Sequence, residues 1–120
     1  YCAVDILRKT CDGYDFYEVK NASEVQEQFI KDAAFQNYII SRCGIEIGRI
    51  FIVIHGEDPN NPFVPVEITN EAKGLYKWVN EHIWDLNRMQ KNAEEPPVIP
   101  GEHCSDPYDC WYYNYCHSTA

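Results

Sequence analysis

Three side chains early in the chain, Asp5, Glu18 and Lys20, are of the types that metal-dependent hydrolysis uses. Two carboxylates about 7–8 Å apart at Cβ can share a Mg2+ ion, which takes oxygen ligands at about 2.0–2.1 Å. Such a metal lowers the pKa of a water and neutralises charge in the transition state of phosphodiester hydrolysis. A lysine beside it would orient the attacking hydroxide or neutralise a phosphate oxygen. The same trio would also serve as a cross-strand Asp–Lys ion pair with Glu18 merely solvated, worth under about 1 kcal/mol. Spacing alone does not choose between the two.

The trio depends on a hairpin. Residues 2–9 and 14–20 have strand character and flank Asp12-Gly13, a dipeptide whose two positions tolerate positive φ in a tight turn. With Asp12-Gly13 as a two-residue loop, Cys11 faces Tyr14, Leu7 faces Glu18 and Asp5 faces Lys20. Directly opposed residues, and residues two apart on a strand, share a sheet face. Asp5, Glu18 and Lys20 then lie together. A four-residue loop is expected to keep that register, and a three-residue loop to turn the face over.

A helix should follow, capped by Ser23 with Gln26 completing a capping box, running to about Cys43 and stopped by Gly44. Its apolar stripe is Val25, Phe29, Ala33, Gln36, Ile40 and Cys43. Gln36 is the one amide in that stripe, so its polar atoms need partners, and the strand face bearing the trio is the nearest source. An edge position with a backbone hydrogen bond is the plainer alternative. Residues 49–54 (RIFIVI) suit a strand buried on both faces. Residues 58–65 suit a loop, and residues 70–91 an amphipathic helix with Leu75, Trp78, Val79, His82, Leu86 and Met89 along its stripe. The expected fold is α/β: a mixed sheet flanked by helices with a right-handed crossover, spanning residues 1–93. Residues 94–120 form a proline-rich linker and an irregular, cysteine-rich tail.

A hydrophobic fraction of 45 % excludes disorder as the default, and no apolar run approaches the roughly 20 residues of a membrane span. No leader is expected ahead of the strand-like start, which points to a soluble, cytoplasmic protein without a membrane partner. The net charge of −9 argues against generic nucleic-acid binding. Its distribution softens that objection, because residues 1–54 carry eight acidic and six basic side chains whereas residues 55–120 carry eleven and four. Six cysteines are present, with none in residues 44–103, which fits metal or cluster ligation better than a disulfide scaffold.

Val4-Asp5-Ile6-Leu7, Tyr17-Glu18-Val19-Lys20 and the helical Ala33-Ala34-Phe35-Gln36 together resemble the D…ExK…Q pattern of RecB-type nucleases in the PD-(D/E)XK superfamily. The branch with a C-terminal cysteine cluster, which includes CRISPR-associated exonucleases, is the most similar. The resemblance implies a restriction-endonuclease-like core in which Asp5, Glu18 and the Val19 carbonyl hold Mg2+ or Mn2+. It implies that Lys20 is the catalytic lysine and that Gln36 helps place DNA or the lysine. Two departures stand out. Ile40 replaces the tyrosine found four residues after the glutamine, with Tyr38 two residues on instead. The chain also starts on what looks like the family's second strand, so a fragment lacking the first helix and strand is expected.

In the tail, the resemblance makes Cys104, Cys110 and Cys116 three ligands of a [4Fe–4S] cluster, with Cys2 a weak candidate for the fourth. A Cys3His zinc site using His103 or His117 is the rival, although x5 spacings are long for a zinc knuckle. His55, His82, Cys11, Cys43, Trp78, Trp84 and Trp111 are expected to be structural. The expected activity is metal-dependent cleavage of DNA phosphodiester bonds, which the resemblance implies to be exonucleolytic and to act on single strands or ends. A catalytically inactive nucleic-acid-binding or protein-interaction module is the alternative, and a cysteine-cluster redox module is a third.

Overall fold

The computed structural model describes residues 1–119, in two compact units: Tyr1–Trp84, and Asp85 to the end of the chain. The first unit holds a four-stranded sheet of β1 (Ile6–Lys9), β2 (Tyr14–Val19), β3 (Ile47–His55) and β4 (Phe63–Glu67), in that spatial order. β1 and β2 are antiparallel, β2 and β3 parallel, and β3 and β4 antiparallel. Helix α1 (Glu27–Arg42) supplies the crossover that a parallel pair requires. Two further helices follow, α2 (Thr69–Gly74) and α3 (Tyr76–Gln90). The protein is thus a mixed α/β fold, as expected.

The hairpin differs from expectation in register but not in facing. Lys9 pairs with Tyr14 and Ile6 with Tyr17, so four residues, Thr10–Gly13, form the loop. The whole of β1 is therefore slid by two residues, which preserves the side-chain alternation. Gly13 is what this loop needs. Its φ is +148°, and a Cβ there would lie 2.7 Å from the Glu46 carbonyl oxygen, which accepts a hydrogen bond from Tyr14 N–H. Residues 2–5 lie outside β1, so Cys2 is not on a strand edge.

Only one sheet face is covered. Phe16, Ile50 and Ile52 are fully buried and form one core with Phe29, Ala33, Ala34 and Ile40 of α1, together with Ala72 and Val79. Burying side chains of this size is worth about 1.5–3 kcal/mol each. On the opposite face Tyr17 stacks on Phe51 at 4.7 Å, with the Arg49 guanidinium 5.3 Å from the Phe51 ring. Val19, Ile6 and Phe63 are exposed. β3 is therefore buried on one side rather than two, with Arg49 exposed and Phe51 and Val53 only half-buried.

β2 and β3 also slip against each other, with Tyr14 pairing Ile47 but Phe16 pairing Ile50. Two residues of β3 thus oppose Asp15 alone, a β-bulge. Asp15 fills it: its buried carboxylate accepts from Arg49 N–H at 3.2 Å and from Arg49 Nη2 at 2.9 Å.

Other expectations are corrected. α1 starts at Glu27 with Gln26 at its N-cap and no side-chain cap, so the Ser23 capping box does not form. Its C-terminal stop at Gly44, with φ +79°, is as read from the sequence. Cys43, at the C-cap, is exposed rather than buried. The segment expected as a loop, 58–65, runs into β4, an edge strand that tolerates Pro65 because an edge position can forgo a ladder N–H. The long second helix is broken at Leu75, and its buried line is Ala72, Leu75, Val79 and Ile83 rather than one through Trp78, Leu86 and Met89. His82 and His55 are exposed; His82 Nδ1 contacts the Trp78 carbonyl and His55 Nε2 the Asn21 side chain. Trp78, Trp84 and Trp111 are 36, 69 and 99 % exposed, so none is a core residue.

The second unit contains a 3-10 turn, Glu102–Cys104, and α4 (Tyr113–Thr119). Cys110 N–H donates to the Cys104 carbonyl at 2.8 Å, and Tyr115 Oη contacts the Glu95 carboxylate. The tail is therefore more ordered than its sequence suggested. No helix among the described residues is long and apolar enough to cross a membrane.

Candidate functional site

Glu18 and Lys20 both project to the helix-covered face of the sheet, at the end of β2. Lys20 Nζ donates to Glu18 Oε1 at 2.9 Å and to Asp32 Oδ2 at 2.5 Å. Asp32 Oδ1 accepts from Gln36 Nε2 at 3.3 Å, one turn further along α1. The four side chains form a continuous chain, Glu18–Lys20–Asp32–Gln36, between strand and helix. Burial alone would push the Lys20 ammonium toward neutrality. The hydrogen bonds that Lys20 donates to Asp32 and Glu18, with their negative charges, outweigh it and hold the lysine pKa above its ordinary value.

Two oxygens in this cluster are buried without a hydrogen-bond partner: Glu18 Oε2 and Gln36 Oε1. Glu18 as a residue is 7 % exposed and Gln36 is 5 %. Both line an open pocket of about 320 Å3, together with Asp32, Phe35 and the segment Tyr1–Ala3. Unpaired buried acceptors cost about 1–3 kcal/mol each, more when charged. Two residues of the pocket wall thus each carry one buried acceptor oxygen without a donor.

Asp5 is placed differently. It precedes β1, is exposed, and its Oδ2 accepts from the Val19 N–H at 2.9 Å. The hairpin register carried one step beyond Ile6 sets Asp5 opposite Glu18 rather than Lys20. Of the expected site, the structure therefore unites Glu18, Lys20 and Gln36, and ties Asp5 to the backbone between Glu18 and Lys20. Val19 contributes its N–H to that tie. Among the described residues no three His, Cys, Asp or Glu side chains converge on one point. Two carboxylates with a backbone carbonyl and waters can still suffice for Mg2+, which keeps much of its hydration.

Asp32 is the residue that the sequence reading missed. Its i, i+4 relation to Gln36 was the available signal, since such pairs are neighbours on a helix surface. It falls beside the apolar stripe, where a half-exposed aspartate looks like solvated surface.

In the tail, Cys104 is buried, Cys116 half-buried and Cys110 exposed, and none is in a disulfide. These thiols, with His103 and His117, do not gather into a three-ligand group. His117 instead stacks on Tyr113 at 3.9 Å, its Nδ1 against the Tyr113 carbonyl. No family model, curated protein or solved structure matches the chain.

Proposed function

We propose that the first unit is the metal-binding part of a PD-(D/E)XK-type, restriction-endonuclease-like core that hydrolyses DNA phosphodiester bonds. The observation that carries this reading is the buried, half-unsatisfied carboxylate of Glu18, held beside the Lys20 ammonium and the Gln36 amide. A carboxylate kept this way is expensive unless something cationic completes it. Glu18, with Asp5 and the Val19 carbonyl, would hold Mg2+ or Mn2+, which would supply an activated water and charge neutralisation. Lys20, kept protonated between two carboxylates, provides a fixed positive group for a phosphate oxygen or an attacking hydroxide. Asp32 holds that ammonium in place from the helix, and Gln36 steadies Asp32.

The test is degradation of end-labelled single-stranded DNA with Mg2+ or Mn2+. Wild type should degrade it and Lys20→Ala should not; activity untouched by that substitution discards the assignment. A second reading, a binding module that keeps the fold without the activity, is favoured by Asp5. Its carboxylate already accepts a hydrogen bond from the Val19 N–H. That reading requires DNA retention without degradation in the same assay.

A further inference from the structure

The sheet face opposite α1 is apolar where a solvated face would be polar. The strand register sets Ile6, Tyr17 and Phe51 in one row, and Val19, Val53 and Pro65 in the next. Tyr17 and Phe51 stack on each other at the centre, while Ile6 is 49 % and Val19 43 % exposed. A contiguous apolar patch of this kind marks an interaction surface.

The charges of this face lie at its margins. Asp15 and Arg49 are committed to each other in the β2–β3 bulge. Arg8 on β1 and Glu67 on β4 are exposed, and neither has an ion-pair partner among the described residues. β1 and β4 are the two outer strands, three interstrand steps of about 4.8 Å apart. Roughly 14 Å therefore separates Arg8 from Glu67, too far for them to pair within one chain. Arg8 and Arg49 also cancel Asp15 and Glu67 in formal charge, which leaves a nucleic-acid backbone little to hold.

A second copy of the chain satisfies both features. In an isologous pair with its twofold axis along the strands, β1 of one copy lies over β4 of the other, and β2 over β3. Aligned sheets pack about 10 Å apart with the side chains of their inner faces interdigitated. Tyr17 of each copy then meets Phe51 of the other, Val19 meets Val53, and Arg8 comes beside Glu67 at two symmetric places. We infer that this face is the interface of a homodimer, two sheets packed as a sandwich with Arg8 of each copy paired to Glu67 of the other. The inference uses no side chain of the Glu18–Lys20–Asp32–Gln36 cluster, which lies on the covered face, so it is independent of the nuclease reading.

The test is sedimentation equilibrium of the full chain between about 5 and 500 µM, a range suited to an interface at the small end of specific ones. Wild type should be dimeric at the upper concentrations. Val19→Lys should be monomeric throughout, because it places two ammonium groups in the apolar centre. Far-UV circular dichroism reports whether it is folded. Arg8→Glu and Glu67→Arg should each weaken dimerisation at least about threefold, since each sets like charges together at two places. The double variant should return to within about twofold of wild type, because the pair is restored with its signs exchanged. These exposed exchanges decide the matter if Val19→Lys does not fold. A wild type that stays monomeric overturns the inference and leaves the face to a different protein. So does a dimer indifferent to Val19→Lys, or one in which the double exchange is no better than either single.

Discussion

Replacing Lys20 with methionine isolates the electrostatic role of the ammonium, because the apolar stem is kept next to the Phe29 ring, 5.6 Å from Nζ. Glu18, whose side chain is 9 % exposed, loses the group at 2.9 Å, and its other oxygen already has no partner. Breaking a fully buried ion pair costs about 3–5 kcal/mol. Here Asp32 is 40 % exposed and rehydrates freely, so nearly all of the cost falls on Glu18. Leaving one buried group unsatisfied costs about 1–3 kcal/mol, and that is the expected loss. For a domain of about 60–100 residues each kcal/mol moves Tm by about 4–8 °C, so Lys20→Met should melt roughly 5–20 °C lower. Thermal unfolding followed by circular dichroism measures this. Adding Glu18→Gln to Lys20→Met should recover more than half of the loss, since the amide is neutral. A Lys20→Met shift under about 2 °C, or a double variant less stable than the single, refutes the picture of a buried carboxylate needing its lysine.

Gly13→Ala should destabilise the fold by about 1–3 kcal/mol in chemical denaturation, since φ is wrong for alanine and the Cβ meets the Glu46 carbonyl. Phe16→Ala, at a site with no exposure, should cost about 3–5 kcal/mol in the same assay. The Arg49 hydrogen bond holds the Asp15 carboxyl below its ordinary 3.8, against the opposing effect of desolvation and with help from the Arg49 charge. A lowered native pKa stabilises the fold above the unfolded value, and this contribution disappears as pH falls through the native one. Arg49→Ala should therefore unfold at higher pH than wild type, and its stability deficit should shrink below about pH 4, as acid titrations monitored by circular dichroism would show. Anaerobic reconstitution with ferrous iron and sulfide tests the tail. A visible band abolished by serine at each of Cys104, Cys110 and Cys116 is the outcome the three-thiol reading requires, and a colourless protein removes it.

Local chemistry explains which parts of the molecule could be read in advance. Asp12-Gly13 marked a reversal, and the parity of Glu18 and Lys20 put both on the face that α1 covers. The loop length was harder, since Thr10 and Cys11 can either extend a strand or join a turn, and two residues of slide cost no change of facing. That slide moved Asp5 away from Lys20. α1 was legible because its stripe has helical spacing and Gly44 ends it. RIFIVI was misjudged because β-branched runs look alike whether one face or both is covered, and only tertiary placement of the helices decides. Asp32 stayed hidden because its role depends on where Lys20 reaches across the interface, which no spacing within α1 encodes.

The positions of the three indole rings have a practical consequence. With Trp84 and Trp111 largely exposed, much of the tryptophan emission will be solvent-shifted in the native protein, and Trp78, 36 % exposed, carries most of the change when Phe16, Ile50 and Ile52 come apart. An apparently flat fluorescence melt would then reflect where the chromophores sit, not resistance to heat. Backbone signals, or an indole introduced at a core position such as Phe29, are the reporters that will follow the cooperative transition.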